Sequence, residues 1–186
     1  CIRDRWSNIL NIEKSQWIQG FKVVKYSTSD TKLWWLQFRI LHSILTTNRY
    51  VSKFKQELCH LCTFCNARSE TILHLIWECP KTKTFWQELS TLFNKRVSHS
   101  HKFQFTKNLV ILGVCSTIKT DKVCNIILLM AKFFIYRCKV NKTELNMKQF
   151  LSEIYNRYCT EKQMYKNNVI FRNSWGPYIN LFKSIM

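Results

Sequence analysis

The apolar positions of this chain recur every three to four residues rather than every second one, which predicts helices rather than strands. The clearest case is TKLWWLQFRILHSIL, 31–45, where Trp34, Phe38, Leu41 and Leu45 form one stripe and Leu33, Leu36, Ile40 and Ile44 its neighbour. Together they predict a broad buried face, with Asp30 as the helix cap. Lys32, Trp35 and Arg39 fall on the opposite side at spacings of three and four, setting an exposed aromatic between two cations. Upstream, NILNIEKSQWIQGFKVV predicts a single amphipathic helix ending at or soon after Gly20, and KYSTSD a polar connector.

Downstream, TTN at 46–48 predicts the cap of a short helix, RYVSKFKQ. Ser69 is placed to cap ETILHLIW. Pro80 suits the first position of PKTKTFWQELSTLF, whose Phe85, Trp86, Leu89, Leu92 and Phe93 are expected to face inward, and NKRVSHSHK then reads as a connector. NIILLMAKFFIY, 125–136, is apolar nearly all round except for Lys122, Asn125, Lys132 and Lys139, so it predicts a central core helix with one thin polar stripe. Thr143 is placed to cap a long helix with Met147, Leu151, Ile154 and Tyr158 on one face, and NSWGPY belongs to a closing tail.

Composition narrows the class. Three Gly and two Pro among 186 residues leave few sharp turns, while 46% hydrophobic residues supply a core. The expected fold is all-α, a helical domain with a small metal knuckle inserted between helices. No apolar run reaches the roughly 20 residues a spanning helix needs, so no membrane role is expected. Residue 1 is Cys and no signal-peptide layout follows it, so the sequence reads as a fragment.

Charge adds a partner. The formal net charge is +18. Residues 1–80 hold 11 Lys/Arg against 6 Asp/Glu, net +5, and residues 81–186 hold 18 against 5, net +13. An A/T-rich coding sequence accounts for lysines but not for the scarcity of acids, so the excess points to a polyanion, RNA or DNA by default. Exposed aromatics such as Trp35 favour single strands, whose open bases stack on them.

The cysteines add a metal. Nine of them, four crowded together at 59–79, do not make a disulfide framework and place the chain in a reducing, intracellular compartment. Cys62, Cys65, His74 and Cys79 spell C-x2-C-x8-H-x4-C. Two thiolates of a tight knuckle and a second pair at a helix end can close a four-coordinate structural zinc site with no open position. Cys59 forms a second C-x2-C with Cys62 and is a rival for Cys65; His60 is a poorer rival.

LWWLQFRILHSILTTNRYVSKF followed by CTFCNARSETILHLIWECPKTKTFWQEL resembles the zinc-binding region downstream of the reverse transcriptase domain in LINE-type non-LTR retrotransposon polyproteins. The resemblance covers roughly residues 30–95: the Trp-rich helix, the CCHC set, the Trp77-Glu78-Cys79-Pro80 corner and the Phe85-Trp86 pair. It implies that Cys62, Cys65, His74 and Cys79 are zinc ligands, that 30–95 is a reverse-transcriptase-associated zinc-binding domain between an N-terminal helix and connector (1–29) and a basic helical segment (96–186), and that the parent is a nuclear or cytoplasmic RNA-directed DNA polymerase. Upstream polymerase domains are then further partners. The chain itself has three aspartates, Asp4, Asp30 and Asp121, no Asp-Asp pair and no Gly-rich phosphate loop, so it is not expected to polymerise or cleave. The resulting expectation is a non-catalytic, zinc-stabilised nucleic-acid-binding module. Its rivals are a docking module for an acidic or polymerase-domain partner and the product of a decayed element copy.

Overall fold

A computed structural model describes residues 2–97, 104–113, 121–165 and 169–182. The fold is all-α: among the described residues there is no strand, only an isolated antiparallel bridge between Leu61 and Ser69.

The predicted first helix is two, α1 (Ile2–Leu10) and α2 (Lys14–Ser27). Asn11 takes a left-handed φ of 50° between them, and Glu13 and Gln16 form a reciprocal capping box that restarts the chain. Gly20 does not end α2 but lies buried within it, where an added Cβ would sit 3.3 Å from the Leu112 carbonyl oxygen. The glycine serves close approach, and α2 continues through residues that the sequence assigns to a connector. Helix α3 (Thr31–Leu41) has its N-terminus capped by Asp30 as expected, with Lys32 N–H donating to its carboxylate at 3.0 Å. It stops four residues early, because Ser43 turns left-handed at φ 58°. Its buried stripe is Leu33, Leu36, Gln37, Ile40 and Leu41; Trp34 and Ile44, expected inside, are exposed.

Thr47, the middle residue of the expected TTN cap, caps the short α4 (Asn48–Ser52), which ends before the predicted 54–56. Pro80 opens α5 (Pro80–Arg96), which buries Phe85, Trp86, Leu89 and Phe93 and half-buries Leu92. The connector expected at 94–102 begins as the last turn of α5, and from 98 onward it lies outside the described residues. Thr106 caps α6 (Lys107–Leu112), and left-handed Gly113 ends it.

Helix α7 (Lys122–Asn141) is the central helix that its composition predicts, packed by α2, α3, α8 (Met147–Met164) and α9 (Val169–Trp175). Its polar stripe turns inward in the middle: Lys122 is exposed and Lys139 half-buried, but Asn125 and Lys132 are buried. Lys132 is fully buried and donates to Gln37 Oε1, while Gln37 Nε2 donates to Ile111 O at 2.8 Å. Burial lowers the Lys132 ammonium from its ordinary 10.5 to about 7. Asn146, not Thr143, caps α8, which adds Phe150 to the expected inward residues Leu151 and Ile154 and leaves Met147 and Tyr158 half-buried.

The segment read as a tail is core. After α9, a 3-10 stretch (Gly176–Phe182) buries Tyr178, Leu181 and Phe182, with Trp175 buried beside them. Tyr178 donates its hydroxyl to Asp121 at 2.8 Å, the same carboxylate that caps α7. One apolar cluster takes in side chains from Trp6 to Phe182.

Candidate metal centre

The first ligand pair sits in a tight reversal. Cys62 N–H donates to Arg68 O at 2.8 Å and Glu70 N–H to His60 O at 2.9 Å, while Leu61 and Ser69 form the bridge. Asn66, left-handed at φ 50°, lets the chain turn back, and its N–H closes on Cys62 O at 2.9 Å. The two-residue gap thereby places Cys62 and Cys65 on the inside of one knuckle.

The second pair comes from a wide turn. Thr71, rather than Ser69, supplies the cap, its hydroxyl accepting from His74 N–H at 2.9 Å. His74–Glu78 then form a single turn of π-helix, closed by Cys79 N–H donating to His74 O at 2.8 Å. The Ile76 carbonyl accepts from Trp86 Nε1–H at 2.8 Å, which anchors the turn to α5. Cys79 leaves the turn in extended conformation, and Pro80 starts α5 directly after it.

These two pieces bring the four predicted residues together. The ligand atoms of Cys62, Cys65, His74 and Cys79 all lie within 4.8 Å of one another. Cys62 Sγ is 3.8 Å from Cys79 Sγ, and Cys65 Sγ is 3.4 Å from His74 Nε2. The sulfur pair is far beyond the roughly 2.05 Å of a disulfide. The hydrogen bond that Cys62 donates to Cys79, followed by burial, pushes the Cys62 thiol up, and receiving that bond lowers Cys79. The cluster is compatible with one metal ion held by three sulfurs and one imidazole nitrogen. Cys59 and His60 lie outside it; Cys59 is exposed, and its sulfur accepts only from Leu61 N–H at 3.4 Å.

A buried carboxylate supports the knuckle, and sequence reasoning passed over it. Glu70 is fully buried and accepts from Asn48 N–H at 2.9 Å and Thr63 N–H at 2.8 Å, with Lys139 Nζ 3.5 Å away. Asn48 donates its side-chain amide to Leu61 O at 2.7 Å, and Lys139 also donates to Thr46 O at 3.2 Å. One carboxylate thus joins the knuckle to the start of α4 and to α7. Each buried oxygen has a donor, as a buried charge requires. Only the run of polar residues around the cysteines hinted at such a group.

Lys32, Trp35 and Arg39 lie on the outer side of α3, all exposed, with Trp35 at 52%. They are not near one ligand cluster but form part of a larger face. Trp35 meets Trp34 edge-on at 5.3 Å and Phe38 at 5.4 Å; Phe38 lies 4.0 Å from His42, and Phe21 and Trp17 of α2 continue the row. Helices α2 and α3 carry Lys14, Lys22, Lys25, Lys32 and Arg39 and no acidic residue. The repeat of Trp17 and Phe21 at four residues was the available signal for the α2 part of this face.

The molecule is an all-α chain with a Cys3His cluster built on a knuckle and a π turn. No family profile, curated protein or solved structure matches the chain. No described helix is long and apolar enough to cross a membrane.

Proposed function

We propose that the chain is a zinc-stabilised, non-catalytic module that binds single-stranded RNA or DNA, within a reverse transcriptase of the non-LTR retrotransposon kind that residues 30–95 resemble. Zinc is favoured by distance as well as ligand type: Zn–S of about 2.3 Å and Zn–N of about 2.0–2.1 Å in a tetrahedron imply S···S near 3.8 Å and S···N near 3.6 Å. Two of the six separations, Cys62 Sγ to Cys79 Sγ and Cys65 Sγ to His74 Nε2, are 3.8 and 3.4 Å, and all lie within 4.8 Å. Four protein ligands leave no open position, so the ion supplies architecture rather than chemistry, fixing the corner between α4 and α5.

The observation that carries the nucleic-acid reading is the α2–α3 pair, which exposes Trp34 and Trp35, carries five cations, and has carboxylates only at its caps, Glu13 and Asp30. Cations neutralise phosphates without reading sequence, and rings stack on open bases at about 1–3 kcal/mol each. Fluorescence anisotropy with single-stranded oligonucleotides tests it. Affinity should fall with salt on a log-log line at about 0.7 per phosphate neutralised. Arg39→Ala should lower that slope by about one contact, whereas Trp35→Ala should weaken binding with the slope and the melting temperature nearly unchanged. Absence of binding to any strand at low salt, where attraction is strongest, would favour a protein-docking role for the same face.

A further inference from the structure

Between α2 and α3 runs a groove of about 260 Å³. Phe21, Lys22 and Lys25 line one side, and Trp34, Gln37 and Phe38 line the other. Trp34 is 39% exposed and lies nearly parallel to Phe38, with ring centroids 5.8 Å apart and planes 14° apart. An exposed tryptophan already set in stacking geometry beside an open groove presents a flat apolar wall at little further ordering cost. Lys22 and Lys25 are exposed at the rim, one helical turn apart.

The floor decides what can be read there. Gln37 is the amide that could hydrogen-bond a ligand, but both ends are committed, Nε2 to Ile111 O and Oε1 to Lys132. The groove is smaller than the roughly 300–1,000 Å³ of pockets for drug-sized ligands. It suits one planar ring system held by stacking, with charge outside.

We infer that this groove takes a single unstacked base of a bound strand, its face against Trp34 and Phe38 and its flanking phosphates against Lys22 and Lys25, while Trp35 stacks the neighbouring base. The inference rests on the nucleic-acid reading and sharpens it in two ways. Duplex is disfavoured, because a paired base leaves its stack only at an unpairing cost of about a few kcal/mol. Base identity matters little, because no free polar group meets the base edges.

The test uses the full chain loaded with zinc and short strands carrying one photoreactive 5-iodouridine. Irradiation followed by mass spectrometry should place cross-links on Trp34, Phe38 or Phe21. Trp34→Ala should weaken single-strand binding about five- to 150-fold, and Trp34→Phe should recover most of it. Lys22→Ala together with Lys25→Ala should lower the salt slope by about two contacts. Cross-links confined to other surfaces, equal affinity for duplex, or Trp34→Ala binding like the wild type would overturn the groove even if Trp35→Ala weakens binding. Failure of the wild type to bind any strand sinks the broader reading with it.

Discussion

The knuckle and the central helix are held together by opposite means. Helix α7 buries twelve of its twenty residues, ten of them apolar or cysteine, and its stability follows from area removed from water. The knuckle leaves most of its length exposed or half-buried and buries, of its side chains from 59 to 71, only Cys62 and Glu70. What holds it is directional: a ligand cluster on one side and a hydrogen-bonded carboxylate on the other. Non-directional burial tolerates change in proportion to lost volume, whereas a directional site fails when a single atom is removed.

Metal removal should separate the two most strongly. Structural zinc contributes about 10–16 kcal/mol apparent in finger peptides. A strong chelator, His74→Ala or Cys79→Ser should therefore lower the melting temperature and strip hydrogen-exchange protection from 59–80 first, while Cys59→Ser leaves bound zinc unchanged. Phe134→Ala, in a fully buried position between Phe85 and Phe150, should instead cost about 3–5 kcal/mol spread over the whole molecule. If α7 amides lose protection with chelator as completely as knuckle amides do, the two regions are one cooperative unit and the contrast collapses.

Glu70 comes next. Glu70→Ala removes the acceptor of two backbone N–H groups and the partner of Lys139, and breaking a buried pair of this kind costs about 3–5 kcal/mol. Thermal melts with zinc in excess should show that loss, and zinc affinity should fall with it. An unchanged melting temperature would mean that the ligands alone set the knuckle.

The smallest effect is in the core helix. The folded chain releases the Lys132 proton near 7, the unfolded chain near 10.5. Between those values the unfolded state holds more protons, so stability should rise with pH. From pH 7 to about 8, below the ordinary thiol pKa of about 8.5, the gain is about 1 kcal/mol. Denaturant titrations should show that slope in the wild type and a flatter one in Lys132→Met. Identical slopes would mean that Lys132 keeps its charge when buried.

Sequence legibility divides along the same contrast. The core helix could be read because nearly every residue of NIILLMAKFFIY is apolar, and the ligands because two short spacings bring them to one point. What could not be read were single polar residues whose partners lie far along the chain. Lys132 reads as part of a thin polar stripe with no partner until Gln37, a residue of another helix, meets it. Glu70 reads only as the first residue after the Ser69 cap until Asn48, Thr63 and Lys139 enclose it. Trp34 reads as core because helical spacing gives a face's direction but not its width, and the elements packed on α3 leave that edge open. The two-helix start was missed because Asn11 breaks the backbone without glycine or proline.

The π turn ties reading frame to metal binding. Successive residues of an α-helix are about 100° apart, so residues five apart, such as His74 and Cys79, would point about 140° away from each other. Widening the turn by one residue brings the pair back to one side, and Cys79 N–H reaching His74 O is the bond that records it. The turn therefore behaves as a one-residue insertion that the helix has absorbed. Removing a residue from Leu75–Glu78 would restore an ordinary turn with its ends still aligned, whereas adding one would rotate Cys79 off the ion. Length variation at this corner is tolerable in one direction only.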